Sequence, residues 1–246
     1  NPRLQVALIE SRESGGFNSG EFDPRVAALT EKSRRLLDSC GAWQRIAEKR
    51  ISPYSAMEVW DAEGTGRIQF NCQDVHQPNL GHIVENSLVV ESLLAEIQAQ
   101  GNIDFLCPVS VASYSVSEEQ VDLVLEDGRL LVAPLLVAAD GANSAIRQQF
   151  DFPTREWDYG HSAIVTTVQT EQVNQQTAWQ RFMPTGPLAL LPLDKGGDRH
   201  YCSLVWSQES EEAERLMALD DAEFCRELSH ASEHCLGQIT AADHRF

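Results

Sequence analysis

No apolar run in this sequence approaches the roughly 18 to 20 residues that span a bilayer. The longest stretches, Leu135–Ala139 and Leu188–Leu191, are the length of a strand. The opening residues carry no signal-peptide pattern. Cysteines are few and scattered. Cys40, Cys72, Cys107, Cys202, Cys225 and Cys235 show no close pairing, so they read as free thiols of a cytoplasmic protein and exclude a disulfide frame. Basic residues are scarce too: Lys and Arg total 19 against 37 Asp and Glu, a formal charge of −18. A surface this acidic repels phosphate backbones, which argues against a nucleic-acid partner. It also argues against a purely electrostatic hold on anionic lipid. Internal repeats and low-complexity segments are absent.

What is present is a chain of 246 residues, 42% of them hydrophobic, enough for one large domain or two small ones. Gln5–Glu10 reads as a buried parallel strand ending in an acid, and Ser11 to Arg25 as a loop. Thr30 caps an expected helix with Leu36 and Leu37 inward and Gly41 as its stop. Ala56–Asp61 and Arg67–Phe70 form a hairpin around Glu63-Gly64-Thr65-Gly66, glycines that belong to a turn and not to a dinucleotide site. Gly81–Glu85 returns the chain, and Ser87 is expected to cap a helix with Leu88, Leu93, Leu94 and Ile97 on its apolar side. Ile103–Leu106 is another strand. Val109 to Ala139 is a meander, turned by Asp127-Gly128 and closed by a fully apolar, buried strand, Leu135–Ala139. Beyond residue 152 the pattern becomes antiparallel, with strands at 162–170, 178–183, 188–193 and 201–207. Two helices follow from about Glu209 and from Asp220.

Two segments carry chemistry. An acid at the end of a second strand, as Glu10 is, accepts hydrogen bonds from a ribose diol when a glycine-rich turn lies roughly 20 residues before it. Only nine residues precede Glu10, so it is either an ordinary strand-end charge or the remnant of a unit cut ahead of its second strand. Asp140-Gly141-Ala142-Asn143-Ser144-Ala145-Ile146-Arg147 follows the apolar strand and opens a helix. That places an acid and free N–H groups where α/β sheets bind ligands. A plain helix start capped by Asn143 or Ser144 explains part of it, but not Arg147 on the same face as Ser144. Elsewhere, His230-Ala231-Ser232-Glu233-His234 matches a zinc-peptidase pattern, with both histidines on one expected helix face. No third ligand is in view, so no metal is assigned, and a zinc hydrolase stands as a lesser alternative.

Asp-Gly-x-x-Ser-x-x-Arg after an apolar strand resembles the second flavin motif of the aromatic hydroxylases related to 4-hydroxybenzoate hydroxylase. Val6 to Arg12 looks like that family's second strand with its ribose-binding Glu, and Arg25-Val26-Ala27-Ala28-Leu29 like its pyrophosphate-side Arg segment. Leu36 to Trp43 resembles the helix end that follows that Arg segment, and Met57 to Asp61, Gly81 to Ser87, Trp157 to Tyr159, Gly186 to Leu193 and Cys202 to Ser207 are similar to the bacterial ubiquinone-biosynthesis hydroxylases. The resemblance covers nearly the whole chain. Its Gly-x-Gly-x-x-Gly turn and its C-terminal Gly-Asp motif are not among these residues, so the expectation is the middle of a family member that holds flavin weakly by itself.

The fold implied is α/β, α+β overall: an incomplete Rossmann-like parallel sheet that binds FAD, with a mainly antiparallel β substrate domain. The expected division is 1–53 and 80–152 for the FAD-binding domain, and 54–79 and 153–246 for the substrate domain. Glu10, Arg25, Asp140 and Gly141 are the implied cofactor-binding residues; no catalytic residue is singled out. The implied reaction hydroxylates the phenol ring of a polyprenylated ubiquinone precursor, with FAD as cofactor, NAD(P)H as co-substrate and O2 as oxidant. Gly186-Pro187 and Pro192 are the segment expected to face the ring. Other ubiquinone-pathway proteins and a peripheral contact with the inner membrane are the further partners implied for a cytoplasmic enzyme. A non-catalytic relative that keeps the fold as a binding module is the rival reading.

Overall fold

The computed structural model describes residues 4–246. It opens with β1 (Val6–Ile9), and the polar stretch after it forms no regular element before β2 (Val26–Thr30). The Thr30 hydroxyl then accepts the Ser33 N–H at 3.3 Å and starts α1 (Glu31–Ser39). Gly41 ends α1, as expected, and a second helix, α2 (Ala42–Lys49), which the sequence pattern did not announce, follows directly. β3 (Ser52–Tyr54), β4 (Ala56–Asp61) and β5 (Arg67–Asn71) follow, then a 3-10 turn at Cys72–Val75, β6 (Gly81–Glu85) and α3 (Asn86–Ala99). Next come β7 (Ile103–Leu106), β8 (Val111–Val116), β9 (Val121–Leu125), β10 (Leu130–Ala133) and the short α4 (Ala145–Gln149). The last part holds four long strands, β11 (His161–Thr170), β12 (Thr177–Met183), β13 (Gly186–Lys195) and β14 (Asp198–Glu209). Helices α5 (Ser210–Ala218) and α6 (Asp221–Ala231) and strand β15 (Ile239–Ala242) end it.

The residues fall into two compact units. One comprises the chain up to Ser14 and Ile97–Asp158; the other comprises Gly15–Glu96 and Tyr159–Phe246. In the first, β1 and β7 pair in parallel, Val6 opposite Ile103, and β8, β9 and β10 form an antiparallel sheet. Val121, Leu123 and Leu125 alternate inward along β9, as a half-buried strand requires. The expected strand at Leu135–Ala139 does not form: these residues join no sheet, and Leu135 and Val137 are each 73% exposed. A strand apolar on both faces needs neighbours on both edges and layers above and below, and none flanks this segment among the described residues.

The second unit is built on a seven-stranded sheet in the order β15-β11-β14-β13-β12-β4-β5, antiparallel except where β12 and β4 run parallel. One face packs on α5 and α6 through Leu188, Leu190, Leu204, Trp206, Leu216 and Phe224. A smaller sheet, β2-β6-β3, packs with α1, α2 and α3 around Ile46, Val84 and Leu88. Leu37 joins this second cluster, whereas Leu36, expected inward, is exposed; at 3.6 residues per turn adjacent leucines point to different faces and only one meets the core. Ser87, the expected cap, lies inside α3, which begins at Asn86. Its N–H donates to the carboxylate of Asp23, a residue 64 positions away.

That carboxylate belongs to a buried network. Arg50, the residue that ends α2, donates through Nε at 2.6 Å and Nη2 at 2.7 Å to the two oxygens of Glu85 at the end of β6. The two side chains are only 9% and 3% exposed. The remaining guanidinium hydrogens reach the carbonyls of Glu21 at 2.6 Å, Ser19 at 3.1 Å and Asn18 at 3.2 Å. Phe22 and Phe17 cover the cation, with ring centroids 4.4 and 4.9 Å from its centre. Glu85 also accepts the Asp23 N–H at 2.8 Å, and Asp23 in turn accepts the N–H groups of Arg25 and Ser87. A buried pair need not add net stability, but removing one partner strands the other charge, at a cost of about 3 to 5 kcal/mol. Arg50→Ala is therefore expected to lower unfolding free energy by about that amount in denaturant titration; a loss within the range of an exposed pair, about 1 kcal/mol or less, contradicts the assignment.

Candidate functional site

Glu10 follows β1 directly. Its backbone extends the parallel ladder, with its N–H on the Leu106 carbonyl and its own carbonyl accepting from Val109. The exposed carboxylate accepts the Arg12 N–H at 2.9 Å and the Ser11 hydroxyl at 3.3 Å. One oxygen thus serves its own loop, and the group remains open to solvent as a further acceptor.

Asp140 and Gly141 stand in the same unit, at the start of α4. The Ser144 hydroxyl caps this helix by accepting the Arg147 N–H at 3.0 Å. Hydrogen bonding from the Ser144 side chain, and from the N–H groups of Ile146 and Ala145, holds the Asp140 carboxyl below the usual range. Asp140 is therefore an anion at neutral pH, positioned by the turn it helps to form. Gly141 has φ of 81°, and a Cβ there would meet nothing within 4 Å, so the backbone is open on that side. Arg147, the residue that a plain cap left unexplained, turns its guanidinium back to the Ala142 carbonyl and braces the loop. Glu10 and Asp140 make no hydrogen bond to each other.

Arg25 lies in the other unit, one residue before β2. Its N–H donates to Asp23 and its carbonyl accepts from Asn86, so its backbone is fixed from both sides. Its side chain is exposed and makes no hydrogen bond or ion pair among the described residues. Within the first unit Glu10 and Asp140 offer two carboxylate acceptors, and Arg25 in the other unit offers a cation. That chemistry fits a ligand carrying sugar hydroxyls and a pyrophosphate, as FAD does.

Two features had no sequence signal. Tyr114, on β8, has its pKa raised by burial and by the charge of Asp140, and its hydroxyl has no hydrogen-bond partner among the described residues. The Arg50–Glu85 network joins residues 35 positions apart that no spacing rule links. The zinc pattern changes on inspection. Helix α6 ends at Ala231, and His234 lies beyond it with φ of 51°, so the two histidines do not share a helix face. Their rings still meet edge to face at 5.1 Å, but no group of three metal-ligating side chains occurs among the described residues.

The sequence matches the family described as FAD binding domain over residues 5–243. The chain belongs to that family. As a family member it is similar to the ubiquinone biosynthesis monooxygenase COQ6, mitochondrial, of Xenopus tropicalis, 35% identical over 91% of this chain and 50% of the relative. It is also similar to the 3-demethoxyubiquinol 3-hydroxylase of Escherichia coli, 30% identical over 96% of this chain and 59% of the relative. It spans about half the length of the curated relatives it matches. Among solved structures, the fold matches PqsL, a probable FAD-dependent monooxygenase from Pseudomonas aeruginosa, with a TM-score of 0.73 at 18% identity. That match covers 97% of this chain and 65% of the other. The p-nitrophenol 4-monooxygenase PnpA from Pseudomonas putida matches with a TM-score of 0.71 at 15% identity, over 99% and 61% of the two chains. The resemblance read from the motifs is thus a family membership, and FAD is the cofactor of this family. No helix among the described residues is long and apolar enough to cross a membrane.

Within this family-like unit the α4 start depends on its cap. Ser144→Ala is expected to cost about 1 kcal/mol locally and to speed amide exchange at Ala145 to Arg147. Unchanged protection there would show that the hydroxyl is not the cap.

Proposed function

We propose that this chain belongs to an FAD-dependent monooxygenase that hydroxylates the phenol ring of a polyprenylated ubiquinone precursor with NAD(P)H and O2. The observation that carries the reading is the similarity along nearly the whole chain to a monooxygenase and a hydroxylase whose names place them in ubiquinone chemistry. In this reading Glu10 accepts hydrogen bonds from the ribose hydroxyls of FAD, and Arg25 offsets the pyrophosphate charge. Asp140 accepts from flavin-side hydroxyls, with Gly141 allowing close backbone approach. FAD supplies the oxygen-transfer chemistry, and the protein positions it and keeps water out. Residues 1–53 and 80–152 would serve the cofactor, and 54–79 with 153–246 the substrate.

The ring would lie against Gly186-Pro187, where the β12–β13 turn is tight. A Cβ on Gly186 would stand 2.3 Å from the Ser207 carbonyl oxygen, so only glycine fits. Pro192 is set aside, because its register opposite Cys202 puts it on the face packed into the core. A peripheral association with the inner membrane, and contacts with other proteins of the pathway, belong to the same reading.

Turnover of the full-length protein is the direct test. NAD(P)H oxidation should be stimulated by a 2-polyprenylphenol, and labelled O2 should place one labelled oxygen on the ring. Nucleotide oxidation without a labelled product contradicts the proposal. The site assignment has its own test. Asp140→Ala in the full-length protein should weaken FAD binding by roughly ten- to a hundred-fold, the loss of a charge-assisted bond. Equal dissociation constants in two equally folded proteins would remove Asp140 from the site.

A further inference from the structure

The free end of the seven-stranded sheet carries an exposed apolar face. Cross-strand partners point to the same side of a sheet, so the register sorts β5, β4 and β12 into two faces. On the side that faces the core and α6, Glu58, Trp60 and Arg181 are buried or half-buried while Gln69 and Arg67 on β5 stay exposed, and these side chains are satisfied mostly by one another and by Glu233. On the other side Phe70 stands beside Met57, and Ile68 beside Val59, with Phe182 one row further on. Ile68, Phe70 and Phe182 are 57%, 51% and 48% exposed. The polar members of this side are Gln180 and Asp61, and the Asp61 carboxylate is turned to the N–H groups of Glu63 and Gly64. An antiparallel edge ordinarily keeps large apolar side chains off its open face; here β5 is exposed on both faces and one of them is apolar.

Size and position decide among occupants. Three half-exposed large side chains on strands about 4.8 Å apart make a strip about 10 Å wide, with exposed area on the order of 300 Å2. A stable dimer needs about 800 Å2 on each partner, so a second copy is not the occupant this strip fits. An anionic lipid surface is disfavoured by a chain of net charge −18. A single isoprenoid chain is uncharged, narrow and flexible. The strip also starts at the right place, since Phe182 is the cross-strand partner of Pro187 in the segment proposed to face the ring.

We infer that the outer face of β5, β4 and β12, with Ile68, Phe70 and Phe182 as its main contacts, is the subsite that holds the polyprenyl tail of the substrate. This inference rests on the hydroxylase reading above.

The test uses the full-length, FAD-loaded protein and two probes, 2-geranylgeranylphenol and the tail-less 2-methylphenol. Wild type should have the higher kcat/KM for the tailed probe. Phe70→Ser combined with Ile68→Ser should raise KM for the tailed probe at least tenfold and leave kcat/KM for 2-methylphenol and FAD content unchanged. Phe70→Leu with Ile68→Val should restore tail preference, which separates lost apolar contact from a damaged sheet. Equal losses on both probes, unchanged kinetics on both, or a serine variant altered only in oligomeric state or vesicle binding would each overturn the subsite. Wild type that hydroxylates both probes without preferring the tail also overturns it, while the hydroxylase reading stands. Wild type that hydroxylates neither refutes the hydroxylase reading, and the subsite falls with it.

Discussion

The ion pair of Arg50 and Glu85 is the contact on which the loop between β1 and β2 depends. Residues 11–25 have no regular structure, and fixing their backbone costs conformational entropy. Three of their carbonyls are held by one guanidinium, and two of their aromatic rings close over it. Glu85 completes the arrangement by holding Arg50 with both oxygens and accepting the Asp23 N–H on Oε1, the oxygen that also takes Arg50 Nη2. Asp23 then secures the first turn of α3 and the backbone of Arg25. A cation that carries a loop in this way cannot also serve a ligand. Arg25 is placed by the same network, and its exposed side chain is not consumed by it.

Local patterns that state a physical requirement were legible. Thr30 and Asp220 cap the helices they were expected to cap, each accepting the N–H three residues on. The hairpins at Asp127-Gly128 and around Gly64-Thr65-Gly66 formed as read, as did the four long strands after residue 160. Errors arose where tertiary partners decide. Leu135–Ala139 has the composition of a buried strand, but a strand exists only with neighbours, and those are not in the sequence pattern. Ser87 has the right side chain for a cap, yet Asp23 from a distant loop occupies the helix start instead.

The candidate site was legible in its chemical types and not in its assembly. Glu10 was read from the end of a strand that does form, whereas Asp140 and Gly141 were read from the end of an expected strand at Leu135–Ala139 that does not; all three sit in one unit. Arg25 was visible only through family likeness. Nothing in composition announced that Tyr114 would sense the charge of Asp140. The apolar outer face of β4 and β5 was hidden for a related reason. Alternation shows that a strand has two faces but does not say which one meets the core, and here the charged face does, through Arg181 and Glu233.

If the buried pair organises this loop, its removal must act locally before it acts globally. Amide hydrogen exchange on Glu85→Gln measures this directly, because the substitution keeps the shape and removes the charge. The expected result is exchange accelerated at least tenfold at Phe17, Asp23, Arg25 and Ser87, with strands β11 to β14 retaining wild-type protection. Equal protection of the loop in both proteins, or a uniform loss across the whole chain, would contradict the account.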